Sequence, residues 1–343
     1  MTHLASRLWR CACFLAAVLP LGCSSKPVLN VFNWGNYLDP EVVRQFESSH
    51  GCRVQCDTFS SDSELETRLL TGGGYDVAFP SDRSLTPLMR QGLLQELRQD
   101  LLPNLVHLDP QFVPPAADPQ SRYAVPYFWG TVAVGVHTEH VPGSAAGFEV
   151  LFDERYRGRI TLLNDAEHVV AVALMHLGLP ANSTDDAHLA QVKALLVRQK
   201  PLVQAYVSDG YREKLVKGDA WVALGWSSDL LQAAREEPRV RVIVPATGTI
   251  IWTDSMVIPR DGKKVELAHA FINYLLDPRV AAQNANFVRC PSPNRSARAH
   301  IAPDLLNNRA MYLPESLLER CQRLIDRGPA IGKVQRLWRE VRN

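Results

Sequence analysis

A two-lobed α/β protein is the fold class that the sequence predicts, and three observations carry it. Strand-like and helix-like segments alternate β-α-β-α-β over roughly 55 residues after Val28, the mark of a parallel sheet with helices on its faces. The same rhythm returns after Arg159. The chain has 343 residues, and at about 150 residues per domain that length suggests two domains.

The first unit reads element by element. Val28–Asn33 is a strand. Asp39-Pro40-Glu41 opens a helix with Asp at the N-cap and Pro at the first helical position; Val42, Val43 and Phe46 form its inner face and Gly51 ends it. Cys52–Phe59 alternates as a second strand. Ser61-Asp-Ser-Glu64 is a capping box that starts a helix through Leu70, closed by Gly72-Gly-Gly74. Tyr75–Phe79 is the third strand. The second unit follows the same grammar: a strand at Arg159–Leu163, an apolar helix at Val169–Leu177, a helix at His188–Gln199 and a strand at Leu202–Val207. Then come Ala220–Leu224, a helix around Leu230–Arg235, a strand at Val240–Val244, a long strand or crossing segment at Ile250–Ile258 and a helix at Lys263–Leu275. Pro114–Pro119 and Pro291-Ser-Pro293 are loops or crossings.

The N-terminus reads as an address rather than as fold. Arg7 and Arg10 precede the apolar Cys11–Leu21, which is long enough for a secretory signal and too short to span a bilayer. It ends in Leu19-Pro-Leu-Gly-Cys23, which resembles a bacterial lipobox. The expectation is a lipoprotein-type signal peptide over 1–22, a lipid on Cys23 and a tether over 23–27. Cys52, Cys56, Cys290 and Cys321 then remain. Cys52 and Cys56 lie ~13 Å apart on one strand, beyond disulfide reach. Two alternatives stay open: a long-range bond such as Cys290–Cys321, or buried free thiols.

Composition excludes several functions. Lys plus Arg number 37 and Asp plus Glu 36, so there is no basic excess for a nucleic acid partner. Nucleophile-elbow, zincin, P-loop and dinucleotide motifs are all missing, so no enzyme and no cofactor are expected. No metal site is expected either: no Cys-x-x-Cys occurs, and His137 and His140 fall in a loop rather than forming a close ligand pair.

Ligands of open α/β sheets sit beyond the carboxyl ends of the strands. The residues there are Trp34-Gly-Asn-Tyr37, Ser81-Asp-Arg83, Asn164-Asp165, Ser208-Asp209 and Trp226-Ser-Ser-Asp229, with Trp252-Thr-Asp254 in the crossing segment. Aromatic faces and carboxylates together suit a cation, although Asp165 alone also reads as a helix N-cap.

The segments Val31-Phe-Asn-Trp-Gly-Asn-Tyr37, Tyr75-Asp-Val-Ala-Phe-Pro-Ser81, Val125-Pro-Tyr-Phe-Trp-Gly130, Leu163-Asn-Asp-Ala166, Gly248-Thr-Ile-Ile-Trp-Thr-Asp-Ser-Met-Val-Ile-Pro259 and Pro291-Ser-Pro-Asn294 resemble, in order and spacing, the periplasmic spermidine/putrescine-binding proteins of ABC importers. The resemblance covers residues 28–300 and, more weakly, the C-terminal helices. It implies a periplasmic-binding-protein-like fold, each lobe a mixed sheet flanked by helices, with a ligand cleft between the lobes. It also implies a polyamine slot: Trp34, Tyr37, Trp226 and Trp252 as walls, Asp254 as an amine anchor, Asp165 as a second carboxylate, Ser208 as a polar contact and Gln322 as a C-terminal contact.

Two departures from the family bear on the ligand. His168 stands where the family has a second acid, and Glu167, one helical position early, is rotated by ~100° and is not expected to replace it. Arg83, within Ser81-Asp82-Arg83, brings a fixed cation to the slot unless it pairs with Asp82 or points outward. The expected division is 28–131 plus 253–296 for one lobe and 132–252 plus 297–343 for the other. The expected function is a monomeric, lipid-anchored periplasmic protein that delivers putrescine or spermidine to an ABC permease. Two alternatives remain at this point: a clamp that signals to a membrane receptor, and a binder of a different small amine or zwitterion because of Arg83 and His168.

Overall fold

The computed structural model describes residues 26–113 and 115–343. The signal peptide, Cys23 and the start of the tether lie outside the described residues, as does Pro114.

Nine strands are formed by the described residues: β1 (Val28–Trp34), β2 (Arg53–Phe59), β3 (Val77–Ala78), β4 (Ala124–His137), β5 (Ile160–Leu163), β6 (Val203–Val207), β7 (Val222–Trp226), β8 (Val240–Ile243) and β9 (Ile251–Val257). The helices are α1 (Pro40–His50), α2 (Asp62–Leu70), α3 (Asp82–Arg90), α4 (Ala166–His176), α5 (Asp186–Gln199), α6 (Tyr211–Val216), α7 (Ser227–Glu236), α8 (Val265–Leu275), α9 (Pro278–Val288), the short α10 (Pro303–Leu306) and α11 (Glu315–Leu318), and α12 (Ile331–Arg342).

The strand order is β2-β1-β3-β9-β4-β7-β5-β6, with β8 also on β4. Parallel pairs β1/β2 and β1/β3 build one sheet, and parallel pairs β5/β6 and β5/β7 build the other. β4 joins them. Its first half, Ala124–Thr131, runs antiparallel to β9, and its second half, Val132–His137, runs antiparallel to β7 and β8. Each lobe is therefore a mixed sheet.

Local chemistry accounts for the elements. Asp39 caps α1 by accepting from Glu41 N, Pro40 sits at its start, and Gly51 ends it at φ 61°. Ser61 Oγ accepts from Glu64 N, while Glu64 reaches back to Ser60 N rather than to the capping residue itself. Along β1, Leu29 and Val31 face α1, α8 and α9, and Phe32 faces α2 and α3, as alternation on a strand demands. Burying Phe46 and Phe271 against each other, edge to face at 4.9 Å, contributes roughly 1.5–3 kcal/mol for each ring.

The structure differs from the sequence expectation in four places. The third strand shrinks to two residues, because the Asp76 carboxylate takes the N–H groups of Asn30, Lys263 and Lys264. α3 follows Ser81 where only a loop residue set was read. β4, unread in the sequence, is the longest strand, with 14 buried residues. Finally, Ala297, Ile301, Leu305 and Met311 are buried in the first core, although 297–343 was expected in the second lobe; Leu324, Val334, Leu337 and Val341 do pack there. Neither alternative for the cysteines holds as stated: all four are free thiols, buried at Cys52 and Cys290, half-buried at Cys321 and exposed at Cys56.

Candidate functional site

A cavity of about 800 Å³ lies between the two sheets, at the carboxyl ends of β1, β5, β6 and β7. Of the twelve expected ligand contacts, eleven line it: Trp34, Tyr37, Ser81, Asp82, Arg83, Asp165, His168, Ser208, Trp226, Trp252 and Asp254. Gln322 does not. Its Oε1 accepts from Ala181 N at 2.9 Å and its backbone pairs with Ile250, so it ties the C-terminal segment to the second lobe.

One end of the cavity is built around Asp254. On β9, Trp252 and Asp254 are two residues apart and so share a face. Asp254 is buried, and its Oδ2 accepts from Tyr37 OH at 2.8 Å. Tyr37 is held in turn: its ring meets Phe128 edge-on at 5.2 Å and its carbonyl accepts from Tyr127 OH at 2.9 Å. The loop that carries Trp34 and Tyr37 turns through Asn36 at φ 55°, a conformation Asn tolerates. No basic group pairs with Asp254 among the described residues. Burial pushes its carboxyl well above the usual range, opposed by the Tyr37 hydrogen bond and reinforced by Asp62 and Asp82.

Aromatic side chains wall this end. Trp226 meets Trp252 edge to face at 6.1 Å, and His168 meets Trp226 at 4.7 Å. Trp34 leans on Phe59 at 4.4 Å. Gly130 on β4 makes room for Trp252, since a Cβ there would stand 2.4 Å from the indole. Beside them Tyr211 OH donates to the half-buried Asp229, and Arg212 is held by Gln232 and Glu213.

The opposite end is already crowded with charge. Arg83, at the start of α3, points inward, and its partner is not Asp82. Nη2 donates to Asp62 at 2.9 Å; Nη1 donates to Glu167 at 2.9 Å and to Asp165 at 3.4 Å. The last two lie on the second lobe, so Arg83 bridges the lobes. Glu167 stays out of the cavity wall, as its rotation on α4 requires, yet it reaches Arg83 and the buried Arg327. Burial alone would raise the Asp165 carboxyl; His168, 3.1 Å away, and Arg83 outweigh it and hold it well below the usual range. Asp82 pairs with Arg323 at 3.2 Å, and burial still pushes it up to about 6. Arg323 also donates to Thr253 Oγ1 at 2.7 Å, and Arg90, at the far end of α3, pairs with Asp326. α3 thus makes ion pairs to the second lobe along its whole length.

Sequence reading missed Asp62, Arg323 and Arg327. Asp62 sat inside the capping box and was read only as helix chemistry. The two arginines sit in a polar C-terminal stretch with no strand end or motif to mark them. His137 and His140, expected to be apart from any ligand pair, stack at 5.2 Å, and one ligand atom each of His137, Glu139 and His140 falls within 4.8 Å. Arg239 pairs with Glu139 at 2.9 Å, so this carboxylate is already engaged by a guanidinium.

Comparison with known proteins agrees with this geometry. Residues 41–308 match the family model for bacterial extracellular solute-binding proteins. The chain is 29% identical to the spermidine/putrescine-binding periplasmic protein of Escherichia coli, over 97% of this chain and 98% of that one. It is 30% identical to a putrescine/cadaverine-binding protein of Pseudomonas aeruginosa, over 92% and 93% of the two chains. A solved structure described as a putative spermidine/putrescine ABC transporter from Listeria monocytogenes superposes with a TM-score of 0.86 at 31% identity, covering 92% of this chain and 99% of that one. With a two-lobed fold, a cleft at the strand ends and a family model matched over most of its length, this chain belongs to the bacterial extracellular solute-binding proteins.

Proposed function

We propose that this protein captures a short cationic polyamine of the putrescine class in the cleft and delivers it to an ABC importer. One observation carries the reading: a buried carboxylate, Asp254, that has a tyrosine hydroxyl but no cation beside it, in a slot walled by Trp34, Trp226 and Trp252. An ammonium group matches that carboxylate in charge, and its methylene chain fits the indole faces. The names of the relatives support the same ligand class. A zwitterionic ligand has less support, because Arg83 and Arg212 are both engaged by the protein's own side chains.

In this reading Trp34, Tyr37, Ser81, Asp82 and Arg83 come from one lobe and Asp165, His168, Ser208 and Trp226 from the other, with Trp252 and Asp254 on the crossing strand. The first lobe comprises 28–131 and 253–313, and the second 132–252 and the remaining C-terminal segment. A ligand that touches both lobes favours the closed state over the open one, which is the signal a permease reads. The protein works outside the cytoplasm, held to a membrane by a lipid on Cys23 after removal of residues 1–22, and as a monomer.

The test is a thermal-shift screen of the soluble chain, refolded to strip ligand, against diamines, triamines, amino acids and ferric ion. Binding to the native state alone raises the melting temperature as RT ln(1 + [L]/Kd). The expected result is a shift with putrescine and none with amino acids. A shift with anionic or zwitterionic compounds alone overturns the reading.

A further inference from the structure

We infer that Arg83 is a built-in cation that occupies the far end of the slot, so that the site accepts a diamine and discriminates against a triamine. The inference rests on the polyamine reading and sharpens it to a charge count.

At the far end every oxygen of Asp62, Asp165 and Glu167 already has a donor. Asp62 Oδ2 accepts from Arg83 and from Ser81 Oγ, and its Oδ1 from Ser81 N at 3.4 Å. Asp165 Oδ1 accepts from the backbone N–H groups of Glu167 and His168, and its Oδ2 from Arg83. Glu167 gives one oxygen to Arg83 and the other to Arg327. Three carboxylates face two guanidinium groups there, which leaves one net negative charge beside a neutral His168 imidazole, the protonated imidazole alone cancelling it. Asp82 adds none, because Arg323 pairs with it. Of the buried carboxylates that line the cavity, Asp254 at the near end is the one with no cation beside it and no donor to its Oδ1 among the described residues.

A ligand with two ammonium groups therefore matches one open anchor and one residual charge. A third ammonium meets the face of Arg83, and two unit charges in a partly buried cleft repel strongly at contact distance. Removing the Arg83 charge exposes one more carboxylate equivalent at the same place. The residue thus acts on charge number, and the Trp-walled near end is untouched by it.

The test is calorimetric titration of putrescine and spermidine into the full-length soluble chain and into Arg83→Gln and Arg83→Lys. The natural chain is expected to favour putrescine by about tenfold or more. Arg83→Gln is expected to raise spermidine affinity by about tenfold while putrescine changes several-fold at most, so the ratio collapses. Arg83→Lys keeps the charge and is expected to keep the ratio. A natural chain that binds spermidine as well as putrescine overturns the inference without any variant. So does an Arg83→Gln chain that weakens both ligands equally, which makes Arg83 a lobe bridge only. If neither amine binds the natural chain, the failure belongs to the polyamine reading itself.

Discussion

The two ends of the cleft hold buried carboxylates in opposite states. At the Asp254 end the acid has a neutral phenol beside it and burial holds its carboxyl high. At the far end Asp62, Asp165 and Glu167 converge on Arg83 and Arg327, and Asp165 is held low. The same residue type has its carboxyl pushed up where it is buried without a cation and held down where it is half-buried with Arg83 beside it. A buried carboxylate without a cation is costly, and it becomes favourable only when a ligand brings the missing charge. The first end is thus organised for a ligand, and the second for holding the lobes together.

The largest expected effect comes from removing the unpaired acid. Asp254→Asn keeps an acceptor for Tyr37 and removes the charge, and it is expected to cost ~2–4 kcal/mol of putrescine binding, measured by calorimetric titration. Because Asn keeps a neutral acceptor for Tyr37 at a position where burial already disfavours charge, the unliganded variant is expected to melt no lower than the natural chain. Unchanged affinity would erase the distinction between the two ends.

A smaller effect is expected from pH. The Asp254 carboxyl is raised in the empty protein, and an ammonium ligand needs it ionised, so binding expels a proton at pH values below that raised pKa. Affinity therefore falls as pH falls, by up to about tenfold per unit, and Asp82, raised to about 6, adds to the loss near and below that value. Titrations in buffers of different ionisation enthalpy count the released proton, and Asp254→Asn is expected to remove most of it. A pH-independent affinity between 5 and 8 would show that Asp254 is ionised before the ligand arrives.

The smallest effect belongs to the exposed edge of the lobe bridge. Arg90 is 65% exposed and its partner Asp326 26%, so Asp326→Asn is expected to lower stability by about 1 kcal/mol or less, read by thermal unfolding. It is also expected to leave the putrescine-to-spermidine ratio unchanged. A change in that ratio would extend the selective end of the cleft beyond Arg83.

Much of the fold was legible because its signals are local. Asp39-Pro40 and Gly51 bracket α1, and Ser61 with Glu64 opens α2, each within a few residues. The mouth residues were legible by position, since Trp34, Ser208 and Trp226 sit at or just after a strand end. β4 escaped because it is buried on both faces, so its side chains show no alternation, and Pro126 and Gly130 punctuate it. Pro126 is tolerated beside the register shift between Pro126 and Phe128. Gln322 shows the opposite failure: a residue placed by a loose resemblance turned out to serve the chain's own backbone.

Cap residues, strand alternation and the Trp-Thr-Asp spacing on β9 are properties of short stretches, and the chain alone was enough to specify two α/β units and an aromatic, acidic cleft between them. The direction of Arg83 was not. Its sequence neighbour Asp82 offered a partner one residue away, yet the guanidinium reaches Asp165 and Glu167, 82 and 84 positions along the chain. Adjacent residues on a helix diverge by ~100°, so Asp82 faces Arg323 while Arg83 faces Asp165 and Glu167. Long-range charge pairing depends on which carboxylates the packed lobes bring within reach, and only the folded molecule decides that.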